Sequence, residues 1–349
     1  MSAGPTRGGA TFGDYRLLKR LATGGTSEVF LARTKSDAQV ALKRVLPSLR
    51  DDVELAQEFL DEARIAAHLD HPYLVHVHDV GRQDRTVFLT MDYVRGATLA
   101  EVAGSLKTRE TPWPWTLAAR TVSQVAEALE YLHAAEASDG TALGLVHRDV
   151  NPANVMVGVQ GAPKLVDLGS MRGTHRWHET QAGLLKIKRA YAAPEQVQGL
   201  PVDARTDVHG LALTLYALLA GASPFERPTL EAGLDAVVKE VPRSLRRIRS
   251  DVPRALANLL EAALAKDPAD RPGSAREFRQ TLEEAMRKEA PVGLADVAGL
   301  MASLALGQAR LGISVPARAD APTQRTQAVR HQTERTPAMT RKPAPKRGP

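Results

Sequence analysis

The sequence predicts an α+β protein in which a small β-rich lobe with one main helix precedes a larger helical lobe. Between residues 15 and 93, apolar and polar residues alternate in several short runs, which is typical of half-buried strands. After residue 96, apolar residues recur at helical spacing, first in residues 117–133 and again from residue 203. A polar loop at residues 146–154 interrupts the helical part and is flanked by β-prone segments.

The predicted organisation has five parts. Residues 1–14 are rich in glycine and are expected to be disordered, residues 15–95 form the β-rich lobe, and residues 96–287 form the helical lobe. Residues 288–313 carry apolar residues at helical spacing, and we expect a helix that packs on the same chain rather than on another one. Residues 314–349 are rich in Thr, Pro and Arg, and a disordered tail is expected.

Composition excludes several classes of protein. The chain has no cysteine, so disulfides, thiolate metal sites and cysteine nucleophiles are excluded. The first ten residues have no apolar signal segment, and the longest apolar run is about ten residues, too short for a membrane span. We therefore expect a soluble, cytoplasmic protein. Eight basic and two acidic residues after position 314 equal the whole net charge of +6, so a nucleic-acid partner is not indicated.

The first strands meet at a glycine turn. Residues 21–31 are predicted to form a strand, a turn at Gly24 and Gly25, and a second strand. Glycines let backbone amides come close to a phosphate, so this turn is a candidate nucleotide contact. An ordinary hairpin turn explains the same residues equally well.

Two opposite charges occupy apolar faces of neighbouring elements. Lys43 shares one face of a predicted strand with Ala41 and Val45, and Glu62 lies in the apolar stripe of the following helix. A charge turned toward a core requires a partner, so the sequence predicts that Lys43 and Glu62 form a pair. The alternative is that each reaches solvent separately.

Three polar residues between positions 149 and 167 are candidates for chemistry. Asp149 and Asn154 lie five residues apart in the polar loop, so one loop directs a carboxylate and an amide into the same cleft. Asp167 follows a short predicted strand, 18 residues after Asp149. Ordinary turn positions are the alternative explanation for all three.

Taken in order, these motifs resemble those of the eukaryotic-like serine/threonine protein kinases found in bacteria, from about residue 15 to residue 284. The resemblance implies a bilobal protein-kinase fold and transfer of the ATP γ-phosphoryl group to protein Ser or Thr hydroxyls. It implies that Asp149 accepts the hydroxyl proton, that Lys43, ordered by Glu62, holds the nucleotide phosphates, and that Asn154 and Asp167 bind Mg²⁺. The implied ATP pocket comprises Leu21, Ala22, Gly24, Gly25, Val29, Ala41, Lys43, Met91, Asp92 and Tyr93.

The chain departs from the family pattern at the phosphate contacts. Ala22 and Ser27 stand at two of the three glycine positions of the nucleotide loop. Asn151 replaces the family's usual lysine two residues after the catalytic aspartate, while Lys188 stands where that lysine's threonine partner is usual. One hypothesis is that Lys188 supplies the missing ammonium group; a surface lysine facing the substrate is the alternative. A pseudokinase scaffold and a small-molecule phosphotransferase are the competing functions.

The resemblance also assigns regulatory and structural residues. The segment 170–192 resembles an activation segment, with Thr180, and after it Thr174, as candidate phosphorylation sites. Asp207 and the pair Glu195 and Arg271 are expected to be structural. Protein substrates are implied, including the chain itself, and the oligomeric state stays open. The candidate sites in the tail are Thr323, Thr326, Thr333, Thr336 and Thr340, with a solvated linker as the alternative.

Overall fold

The computed structural model describes residues 10–137, 139–168 and 190–306. Its N-terminal part is a six-stranded antiparallel sheet in the order β1-β2-β3-β4-β6-β5. The strands are β1 (Thr11–Phe12), β2 (Tyr15–Thr23), β3 (Ser27–Arg33), β4 (Gln39–Val45), β5 (Val77–Gln83) and β6 (Thr86–Asp92). Helix α1 (Val53–Ala66) connects β4 to β5 and begins where the Asp52 carboxylate accepts the N–H of Leu55.

The expectation of disorder over residues 1–14 is wrong at its C-terminal end. Thr11 and Phe12 pair with Arg16 and Tyr15 as strand β1. The Phe12 ring is buried edge-on against Phe88, with 5.4 Å between the ring centroids. Burial of this aromatic side chain offsets the entropy lost by ordering the segment, which a glycine-rich composition alone does not show.

The second part is mainly helical. Its helices are α2 (Leu99–Thr108), α3 (Trp115–His133), α4 (Pro194–Val197), α5 (Ala204–Ala220), α6 (Leu230–Lys239), α7 (Arg254–Ala263), α8 (Ala275–Met286) and α9 (Leu294–Ser303). A small antiparallel sheet contains β7 (Gly96–Thr98), β8 (Val155–Gly158) and β9 (Pro163–Leu165). Helix α5 is buried along most of its length. The predicted α+β architecture, a β-rich part with one main helix before a larger helical part, is therefore confirmed.

No helix in the described part of the chain combines the length and the apolar character that a bilayer crossing requires.

Helix α9 packs on the tip of the β8–β9 hairpin. Gly161 in that tip has φ +87°, and a Cβ atom there would lie 2.0 Å from the carbonyl oxygen of Leu294. Val297 and Met301 are buried on the inner side of α9, and Arg109 at the end of α2 donates to the Ser303 carbonyl at 2.9 Å. The predicted helical extension thus packs on its own chain as far as residue 306.

Candidate active site

One face of the large sheet brings together residues that are far apart in the sequence. Residues directly opposite each other in neighbouring strands point to the same side. Val29 lies opposite both Ala22 and Lys43, and in the next row Ala41 lies opposite Met91. Five of the ten predicted nucleotide contacts therefore share this face.

The other predicted nucleotide contacts lie at the ends of the strands. Gly24 and Gly25 form the turn between β2 and β3, where the Gly24 N–H donates to the Ser27 carbonyl at 2.7 Å. Leu21 falls at an irregularity in the β2–β3 register. Asp92 ends β6 and Tyr93 follows it, at the connection to the helical lobe.

Lys43 crosses from the sheet to the helical lobe. Its ammonium group lies 2.5 Å from Oδ1 of Asp167, two residues after β9. Among the described residues Glu62 forms no ion pair, so the predicted contact between Lys43 and Glu62 is wrong for this structure. Two carboxylates compete for one ammonium group, and that of Asp167 makes the direct contact.

Glu62 nevertheless lies close enough to Lys43 and Asp167 for both charges to affect its pKa. Burial raises the pKa of Glu62 to about 8, against the lowering effect of the Lys43 ammonium group and with a further rise from the Asp167 carboxylate. The raised pKa favours the neutral, protonated form of this carboxyl group. Sequence periodicity placed Glu62 on the inner face correctly but did not show which carboxylate Lys43 contacts.

The Asp149 carboxylate is held by two amides. Asn151 Nδ2 donates to its Oδ1 at 2.7 Å, and Asn154 Nδ2 donates to its Oδ2 at 2.8 Å. Both amides also donate to the Asp149 main-chain carbonyl, at 3.1 Å and 2.8 Å. The candidate base is therefore fixed by neighbours from its own loop. The sequence showed Asn151 as a departure from the family but not as a donor to Asp149.

Asp207 at the start of α5 fixes the backbone of the same loop. Its carboxylate accepts the main-chain N–H groups of His147 at 2.7 Å and Arg148 at 2.8 Å. His133 at the end of α3 contacts the same carboxylate at 2.8 Å through Nε2. Arg148 has φ +66°, an uncommon conformation for a non-glycine residue, and these contacts help to hold it. The structural role expected for Asp207 fits this geometry, whereas His133 was missed.

The β8–β9 hairpin places Asn154 beside Asp167. Val155 pairs with Leu165, and the Val166 N–H donates to the Asn154 carbonyl at 2.8 Å. An amide oxygen and a carboxylate oxygen are ligands that Mg²⁺ prefers. Because Asn154 binds Asp149 through Nδ2, its Oδ1 faces away from that bond. The donor set therefore fits a hard divalent cation.

The side-chain carboxylate of Asp92, at the connection between the lobes, contacts two basic side chains. Lys164 on β9 lies 2.9 Å from its carboxylate, and His78 on β5 lies 3.1 Å from it. Burial raises the pKa of Asp92, but hydrogen bonds from His78 and Lys164 outweigh this effect and hold it well below its ordinary value. One anionic side chain thus joins both lobes at their connection. Lys164 was missed because nothing in the sequence relates it to Asp92.

A buried ion pair joins Glu195 in α4 to Arg271, four residues before α8. Arg271 donates to both carboxylate oxygens of Glu195 at 2.8 Å, and Thr206 donates to Oε1 at 2.7 Å. Burial raises the pKa of Glu195, but the hydrogen bonds from Arg271 and Thr206 bring it below its ordinary value. The predicted pairing of Glu195 with Arg271 is confirmed.

Other predicted residues lie outside the part of the chain that the structure describes. They are Lys188, Thr174 and Thr180 in the segment 169–189, and the five threonines of the tail.

Comparison with known proteins is consistent with this site. Residues 15–285 match the protein kinase domain family. The chain is 35% identical over 289 residues to the serine/threonine-protein kinase PknI of Mycobacterium tuberculosis, covering 82% of this chain and 44% of PknI. It is 34% identical over 279 residues to the tyrosine-protein kinase MasK of Myxococcus xanthus, covering 78% of this chain and 43% of MasK.

A solved structure agrees with these relatives. The crystal structure of the M. tuberculosis PknI kinase domain aligns with a TM-score of 0.62 at 32% identity, covering 81% of this chain and all of that one. The chain spans about half the length of the curated relatives that it matches.

Proposed function

The chain belongs to the protein kinase family, with bacterial serine/threonine kinases among its relatives, and we propose that it transfers the ATP γ-phosphoryl group to Ser or Thr hydroxyls of proteins. The observation that carries the proposal is a continuous set of contacts across the two parts of the fold. Lys43 on the sheet contacts the Asp167 carboxylate. The main-chain N–H of Val166, next to Asp167, donates to the Asn154 carbonyl, and the Asn154 side chain donates to the Asp149 carboxylate. The proposed reaction consumes ATP, and ATP is available in the cytoplasm, so we propose that the protein acts there.

In the proposed reaction, Asp149 orients the acceptor hydroxyl group and accepts its proton. The hydroxyl oxygen bonds to the γ-phosphorus while the bond from that phosphorus to the bridging oxygen breaks, and the electron pair leaves with ADP. Lys43 provides a cation for the α- and β-phosphates. Glu62 does not contact Lys43 in this structure, and its proposed role is to order Lys43 when the nucleotide is bound. Most of the acceleration comes from positioning and charge stabilisation.

Asn154 and Asp167 are the residues that would hold Mg²⁺. Bound there, the ion would neutralise charge on the phosphates. The predicted nucleotide contacts on the sheet and at its strand ends would hold ATP itself.

The activity is tested with labelled ATP, Mg²⁺ and a generic protein acceptor. Asp149→Asn keeps the shape of the side chain but removes the base, and we expect kcat to fall by about 10²- to 10⁴-fold. Phosphoamino-acid analysis should find label on Ser or Thr. Label mainly on Tyr would instead assign the specificity that the name of MasK gives. Nucleotide binding with no transfer above the Asp149→Asn level would support a nucleotide-binding scaffold.

Two further parts of the proposal concern residues outside the described ranges. We propose that Lys188 supplies the cation that Asn151 does not, so Lys188→Ala and Asn151→Lys should compensate each other partly. Strictly additive losses in the double variant would refute this role. We also propose autophosphorylation at Thr180, and in the tail, which mass spectrometry with and without ATP would map.

A further inference from the structure

The position that lacks the family's usual lysine is occupied by a side chain with no unused polar group. Asn151 Nδ2 donates to the Asp149 carboxylate and to the Asp149 carbonyl, while its Oδ1 accepts the Ala153 N–H at 2.9 Å. Its relative exposure is only 2%, so the amide cannot turn outward without losing these bonds inside the protein.

The two side-chain amides that contact Asp149 each donate to a different oxygen of its carboxylate. Oδ1 accepts from Asn151 and Oδ2 accepts from Asn154, so rotation about the last side-chain bond would break both contacts. Asn154 is also a proposed metal ligand, whereas both polar atoms of the Asn151 side chain bond within the loop. A lysine here would donate through a flexible four-carbon chain and place a charge beside the carboxylate.

We propose that Asn151 is a positioning residue that holds the Asp149 carboxylate in its catalytic orientation with a neutral donor. This role rests on the proposed kinase activity and deepens it. It assigns Asn151 a function of its own, beyond the absence of a lysine. Loss of this donor should let the carboxylate turn away from the acceptor hydroxyl, and small misplacements of a base lower the rate steeply.

Two variants separate this role from simple support of the loop. Asn151→Ser and Asn151→Asp both keep an oxygen that can accept the Ala153 N–H. Serine is too short to reach Asp149, and aspartate presents no donor at neutral pH. The two replacements differ in size and charge, so an effect common to both reports the missing donor.

A matched control removes another buried amide donor. Gln124 on α3 is 1% exposed, and its Nε2 donates to the Tyr73 hydroxyl at 2.7 Å, with no contact to Asp149. The variant Gln124→Met should lose thermal stability and retain kcat. The experiment measures kcat, the KM for ATP, calorimetric ATP affinity and thermal unfolding of the full chain for all four proteins.

We expect both Asn151 variants to lower kcat by about 10- to 100-fold while ATP affinity and the KM for ATP stay within about twofold of wild type. If either folded variant keeps wild-type kcat, or if Gln124→Met loses as much kcat as the Asn151 variants at a similar loss of stability, the positioning role is overturned. An inactive wild type that binds ATP would overturn the kinase proposal itself, and this role with it. The two failures are therefore distinguishable.

Discussion

The substitution Glu62→Gln separates the effect of burying a side chain at this position on stability from the effect of ionising it. Glutamine keeps the size of the side chain and its hydrogen-bonding atoms but cannot ionise. In the structure, burial raises the pKa of the Glu62 carboxyl group to about 8, compared with its ordinary value of 4.5. Because the folded protein holds this proton more tightly than the unfolded chain, the stabilisation is complete below pH 4.5. It is lost as the pH rises through about 8.

The size of the effect follows from the same two pKa values. At about 1.4 kcal/mol for each pH unit, the difference between 4.5 and about 8 corresponds to about 5 kcal/mol as an upper bound. Glu62 is partly open to solvent, which screens its charge, so we expect about 2 kcal/mol. Glu62→Gln should therefore be about as stable as wild type at pH 5 and about 2 kcal/mol more stable at pH 9.

Urea unfolding of both proteins at pH 5, 7 and 9 measures this difference directly. Glu231→Gln, an exposed position in the first turn of α6, is the control for loss of a surface carboxylate. It should show no comparable dependence on pH. A difference between wild type and Glu62→Gln that is the same at pH 5 and pH 9 would refute the reasoning.

Two further substitutions, each with a control substitution, test the packing of the helical lobe. Arg271→Met leaves Glu195 buried without its ion-pair partner and should lower the free energy of unfolding by about 3–5 kcal/mol, measured by urea unfolding. Arg205→Met, which breaks the more exposed pair with Asp203, should lower it far less, and equal losses would contradict the assignment. Gly161→Ala should lower it by at least about 2 kcal/mol because of its positive φ and the contact with α9, as thermal unfolding would show. Gly299→Ala, a site within α9 with no atom near the added carbon, should be neutral or stabilising, and the opposite order would show that α9 does not press on Gly161.

Local patterns predicted the elements of this fold better than the contacts between them. Alternation at period two is a property of a strand itself, so the strand that carries Lys43 was evident from the sequence. The Asp149 and Asn154 motif lies within one loop and was predicted for the same reason. The partner of Lys43 lies 124 residues away, and the choice between Glu62 and Asp167 depends on how the two parts of the fold pack.

The role of Asn151 shows another limit of the sequence. Its amide reaches back two residues to Asp149 within a loop that also contains Arg148, where φ is positive. Residue type alone gives no sign of that conformation, since arginine rarely adopts it. The strand at Thr11 and Phe12 was missed because its stability comes from an aromatic neighbour more than 70 residues away.

The packing of α9 against Gly161 has a practical consequence for recombinant expression. The family match ends at residue 285, a natural place to cut when preparing a catalytic fragment. Such a fragment would lack Val297 and Met301 and would expose to solvent the apolar surface that they cover. Exposed apolar surface favours aggregation. It would also remove the support of the β8–β9 hairpin tip, and the two strands of this hairpin adjoin Asn154 and Asp167. A fragment extended to residue 306 keeps both.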